Sequence, residues 1–290
     1  MLSANAIIMR KGIDIRAIPA FLSPLFLVWY ISRRSPRKDA FSPMMEGLRA
    51  GAILVGGLFM LCSFGINWLI IGTVQPEYMY SSMELLARYT LSTIVFVPIL
   101  YFGVSAVGPA NILEKEGFAM KYRYDYVMVG ASQGLGYAAM ESMMHLLLAI
   151  ENFPVTLDYW LMLLLYMAVF LIPMFMLCGM SVGYHYAHYK FDGDAYPYAR
   201  KAAFIEPAFI FLTYRFLAYY FWYYSFLTPI RGVAIYFLVP MGACFVWWYA
   251  VARKRSNKFL KQDKETIANE PPIEETETET INQENENKQQ

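Results

Sequence analysis

The chain has 290 residues, of which 58% are hydrophobic and 17% aromatic but only 16% charged, with a net charge of +1. Soluble domains carry about 25% charged residues, so the composition sets aside a soluble domain and points to a membrane protein. Eight of the 23 acidic residues lie at Glu265 or beyond, which leaves the middle of the chain nearly bare and makes the small net charge uninformative about partners.

Residues 1–16 contain Arg10, Lys11, Asp14 and Arg16. No small-residue cleavage site follows an apolar core there, so no cleavable signal is expected and the segment reads as a short extracytoplasmic start. A membrane helix needs about 20 mostly apolar residues. Seven stretches are candidates: 17–32, 50–72, 84–107, 126–150, 156–182, 203–228 and 232–252. The expected fold is therefore all-α, a polytopic bundle of about seven transmembrane helices over 17–252.

Alternate connections are basic. Arg33, Arg34, Arg37, Lys38 and Arg49 follow the first stretch; Lys115, Lys121 and Arg123 follow the third; Lys190, Arg200 and Lys201 follow the fifth; Arg253, Lys254, Arg255, Lys258 and Lys261 follow the seventh. The connections 73–82 and 151–155 have no lysine or arginine. Basic loops stay cytoplasmic, so the amino terminus is expected outside and the carboxyl terminus inside. The rule fits a bacterial inner membrane, an endoplasmic reticulum or a plasma membrane equally. Residues 253–290 read as a basic then acidic disordered tail, too poor in apolar residues from Gln262 onward to fold.

Ionisable residues within apolar stretches are rare and often functional. "MELLARY" sets Glu84 and Arg88 four apart on one helix face, a spacing that allows an ion pair. Glu141 and His145 are also four apart, and deeper in their stretch. The sixth stretch carries Glu206 and Arg215, and Arg215 is expected to pair with one of the glutamates, because an unpaired buried guanidinium is expensive. His185 and His188, three apart in "GYHYAHYK", are a weak metal candidate without an HExxH or cysteine pair beside them.

Cys62, Cys178 and Cys244 lie in apolar runs without paired spacing and read as buried thiols. "GASQGLG", with Gly130, Gly134 and Gly136, is a small-xxx-small pattern that lets another helix approach closely. It follows no strand and is no nucleotide loop. The aromatics of 219–226 fit an interfacial belt, and the absence of lysine from 232–252 disfavours a retinal protein.

"DYVMVGASQGLGYAAMES", Asp125 to Ser142, resembles the most recognisable motif of the PrsW family of intramembrane proteases, relatives of the CAAX-type membrane proteases. Tyr137 and Glu141 match the aromatic and glutamate of that motif. "PLFLVWYISRRSPRKDAFSP" (24–43) and "SVGYHYAHYK" (181–190) are similar to the family's opening span and a later one, and the likeness runs in order from about 20 to 228. The resemblance implies a membrane-embedded hydrolase in which a glutamate pair in EExxK, a later glutamate and histidines act on water. In that alignment Glu84 takes the first glutamate position, Leu85 the second and Arg88 the lysine. The histidine eight residues before the glycine of the glycine–tyrosine pair falls at Phe175.

Glu141 is thus retained while most of its implied partners are replaced. The reading is a PrsW-like protein that is catalytically degenerate, a pseudoprotease binding membrane segments or lipids. The alternatives are an active protease using Glu141 with Glu84 and His145, or a small transporter or channel. Expected partners are membrane lipids and single-span proteins or peptides, not nucleic acid. No cofactor is expected, and a divalent metal such as zinc enters only under the protease alternative.

Overall fold

The computed structural model describes residues 18–33, 35, 40–71, 82–107, 120, 122–152, 166–227 and 239–269, and every regular element among them is helical. Seven continuous helices follow. Helix α1 is Ile18–Ser32; α2 joins Phe41–Ala50, a π-helical turn Gly51–Val55 and Gly56–Ile71; α3 is Ser82–Val107; α4 is Arg123–Asn152. Helix α5 runs from a π-helical turn Met167–Leu171 into Ile172–Asp192, α6 is Ala199–Leu227 and α7 is Val239–Asn269. Each overlaps one of the seven apolar stretches expected from the sequence, with α2 starting nine residues before its stretch and α7 running 17 residues past the end of its own. Residues 1–17, the start of the fifth stretch and residues 270–290 lie outside the described residues.

Helix α4 is the axis of the bundle, packing against α1, α2, α3, α5 and α7. Its closest neighbour is α5, and glycine sets that distance. A Cβ on Gly130 would stand 2.1 Å from the Gly179 carbonyl oxygen, one on Gly134 2.0 Å from that of Phe175, and one on Gly183 2.1 Å from that of Tyr126. The three rungs step four residues along each antiparallel helix, so backbone meets backbone for two turns. Gly136 turns the next face to α2, where its Cβ would stand 2.0 Å from the Leu48 carbonyl oxygen. "GASQGLG" therefore does pack helices, and a second small pair on α5, Gly179 and Gly183, meets it.

Polarity is arranged inside out. Asp125, Ser132, Gln133, Glu141, Ser142, His185 and His188 are buried, while Phe26, Ile53, Leu61, Ile94, Phe102 and Ile205 are exposed, Ile53 by 74%. Among the described residues two stretches, Met44–Ser63 and Leu86–Ser105, are long and apolar enough to cross a membrane, and Leu22–Ser32 is a shorter apolar helix.

The expectation of disorder over 253–290 is corrected for its first part. Helix α7 continues to Asn269. Phe259 is fully buried, stacked on Tyr184 at 4.8 Å and beside His188 at the same distance. One turn on, Asp263 accepts the backbone N–H of Tyr124 at 2.7 Å and of Arg123 at 3.3 Å. Those amides open α4 and have no partner within the helix. One ring and one carboxylate thus hold a stretch whose composition is otherwise that of a solvated tail.

Candidate functional site

Glu141 lies five turns into α4 and is 8% exposed. Arg215, in the middle of α6, donates Nη2 to both carboxylate oxygens, at 2.7 Å to Oε1 and 3.0 Å to Oε2. Tyr137, one turn earlier on α4, hydrogen-bonds the same carboxylate. The guanidinium carbon stands 5.1 Å from the Phe211 ring centre and 5.7 Å from that of Phe175, close enough for cation–π attraction. Below the pair, Phe59, Phe96, Tyr137, Phe175 and Phe211 pack ring on ring, Tyr137 and Phe175 at 4.3 Å. A buried charge pair tolerates such a site only when its lone pairs and protons are satisfied, and here the tyrosine and two aromatic faces supply what water would.

Arg215 does pair with a glutamate, and the glutamate is Glu141. Glu84 and Arg88 are half-buried in the first turns of α3, and neither is without a partner. The residue after Arg88, Tyr89, packs edge-on against Phe216 at 5.4 Å, which brings the start of α3 to the turn of α6 that carries Arg215. The backbone of His145 lies in α4 one turn past Glu141, but its side chain falls outside the described residues.

A second polar cluster lies about 14 Å along α6 from Arg215, nine residues at 1.5 Å each. Arg255 of α7 donates Nη1 to both oxygens of Glu206, at 2.6 and 2.7 Å. His185 Nε2 lies 2.6 Å from Glu206 Oε2 and, against an ionised carboxylate, must be the donor. His188 donates from Nδ1 to Asp192, which also receives Arg123 Nη2 at 2.8 Å, and Lys190 donates to the Tyr126 hydroxyl. The two histidines therefore address different carboxylates. Among the described residues no group of three or more His, Cys, Asp or Glu is placed to hold a metal ion. Cys178 is buried and reaches the Pro207 carbonyl at 3.5 Å, whereas Cys62 is exposed; both are free thiols.

Comparison with protein-family models, with curated proteins and with solved structures finds no match in any of the three.

Sequence reasoning passed over Arg255, Asp192 and Asp263, each of which sits in a segment read as basic loop or tail. The signal that finds Asp263 is its four-residue spacing from Phe259, an acid and an aromatic on one face of a stretch otherwise basic or neutral.

Burial pushes His188 below its ordinary 6.5, against the opposing pull of Asp192, with His185 and Lys258 also disfavouring its charge. Burial alone would raise Asp192, but the Arg123 and His188 hydrogen bonds outweigh it and hold the carboxyl below 3.8. As pH falls through about 6.5 the unfolded chain binds a proton that folded His188 refuses, so stability drops with acidification. Asp192 adds a further loss as pH falls below about 4. The melting temperature in detergent is expected to decline between pH 7 and pH 5.5, with a shallower slope in His188→Asn.

Proposed function

We propose that the chain is a multi-pass membrane protein of seven crossings, with a PrsW-like frame that binds membrane segments or lipids without hydrolysing them. The inside-out distribution of polar and apolar side chains supports the membrane setting. Soluble monomers rarely expose contiguous apolar patches larger than a few hundred Å², whereas a bilayer favours such surface and confines polar groups to the interior. Arg123 pairs with Asp192 and Asp263 caps the first turn of α4, so the start of α4 meets the end of α5 beside Lys190 and the part of α7 that carries Lys258. A basic end of this kind supports a cytoplasmic face there.

One observation carries the loss of hydrolysis: both oxygens of Glu141 are held by Arg215. A general base must reach a water through a free lone pair and accept its proton. Glu141 presents its carboxylate to a guanidinium and a tyrosine instead, walled by aromatic rings. Phe175, where the resemblance implies a histidine, packs on Tyr137 in this same cluster and can neither move a proton nor bind a metal.

The test is incubation of purified protein in lipid with a library of membrane-tethered peptides, wild type beside Glu141→Gln. The expected outcome is peptide retention without cleavage in both. Cleavage by the wild type that disappears in Glu141→Gln would restore the protease alternative.

A further inference from the structure

A cleft separates α6 from α7 at the basic end of the bundle. Ile210 and Glu206 of α6 form one wall, Trp248 and Ala252 of α7 the other, and Ser181 of α5 part of the floor. Its inner space is about 10 Å³, room for about one water or one oxygen of a larger ligand. Ser181 is 6% exposed, and its hydroxyl has no partner among the described residues. A buried hydroxyl without a hydrogen bond is costly, which marks the floor of the cleft as a place where a polar atom is wanted.

The surface beside the cleft is amphipathic in a particular order. Lys201, Ile205 and Phe209 succeed one another at four-residue steps on one face of α6; all three are exposed, Ile205 by 67% and Phe209 by 60%. Phe209 faces Trp248 across the mouth at 6.1 Å. The contacts of Glu206 with Arg255 and of Phe209 with Trp248 show that α6 and α7 run antiparallel. That puts the exposed Lys258 at about the level of Lys201, and Arg255, whose side chain is 35% exposed, about one turn deeper. The carboxylate at the mouth, Glu206, is already saturated by Arg255 and His185. Cations therefore sit at one end and apolar surface extends from them for about 12 Å, eight residues at 1.5 Å each.

We infer that this cleft binds an anionic glycerophospholipid. Its phosphate meets Lys201, Arg255 and Lys258, a glycerol or ester oxygen accepts from Ser181, and an acyl chain lies along Ile205, Phe209 and Trp248. A zwitterionic lipid offers the same chain but presents a cation beside these cations. The inference rests on the membrane reading above and names the lipid class and the site within it.

Native mass spectrometry of the delipidated protein in detergent tests it, using phosphatidylglycerol, phosphatidylcholine of identical chains, and inorganic phosphate. Because each headgroup-level cation favours the anionic lipid, phosphatidylglycerol is expected to bind at least about tenfold more tightly than phosphatidylcholine. The exposed double variant Lys201→Gln/Lys258→Gln is expected to bring the two near parity, and Ala252→Trp, which fills the cleft, to remove tight binding while helicity is retained. Equal binding of both lipids by the wild type, or a preference that survives in the double variant, would overturn the inference. Inorganic phosphate binding as tightly as phosphatidylglycerol would reassign the site to a free anion and overturn it equally. A chain that stays in aqueous solution without detergent would defeat the membrane reading itself, whereas a membrane-embedded chain without lipid preference defeats this site alone.

Discussion

Alanine in place of Arg215 is expected to destabilise the protein by about 3–5 kcal/mol, the usual cost of stranding one partner of a buried ion pair. The substitution removes the donor that Glu141 meets at 2.7 and 3.0 Å and leaves the carboxylate facing Tyr137 and a cage of rings. It also opens space between Phe175 and Phe211, which now flank the guanidinium. Removing both charges is a different matter, because replacing a buried pair by apolar or neutral groups is often close to neutral. The double variant Glu141→Gln/Arg215→Met is therefore expected to recover most of the stability lost in Arg215→Ala. Unfolding midpoints in mixed detergent read both. An Arg215→Ala protein as stable as the wild type would show that the pair holds nothing together.

Leucine at Gly179 is expected to destabilise the bundle as well, by forcing two backbones apart. Its Cβ alone would fall 1.9 Å from the carbonyl oxygen of Gly130, and backbone cannot swing aside as a flexible side chain can. The helices must separate, and overpacking of this kind costs about 1–3 kcal/mol and occasionally more. Separation would also loosen the rungs at Phe175–Gly134 and Tyr126–Gly183, so the loss spreads along the most extensive helix pair in the bundle. Leucine at Gly57, where a Cβ meets nothing within 4 Å, is the matched control and is expected to change the midpoint little. Equal effects at the two glycines would contradict the account of the α4–α5 contact.

The positions of the seven helices were legible because apolar length is a local property that needs no knowledge of partners. Their ends were less so. Helix α7 extends to Asn269 on the strength of Phe259 and Asp263, and neither residue reveals its role until Tyr184 and the first turn of α4 stand beside it. At the site, Glu141 and Arg215 stood out as charges in apolar stretches, and the expense of an unpaired guanidinium predicted their meeting. Arg255 did not stand out, since one arginine among Arg253, Lys254 and Lys258 looks like any other. Only the fold turns it inward to Glu206 and leaves its neighbours to the surface.

The seven-crossing arrangement is the claim on which the rest depends, and single-cysteine labelling in intact cells addresses it most directly. In a cysteine-free background, cysteines at Gln75 and Val155 are expected to react with a membrane-impermeant maleimide from outside. Cysteines at Ser35, Tyr196 and Asn257 are expected to react only after lysis. Labelling of Ser35 or Tyr196 positions from outside, or the same sidedness for all five, would contradict the topology and with it the reading of the chain as a seven-helix membrane protein.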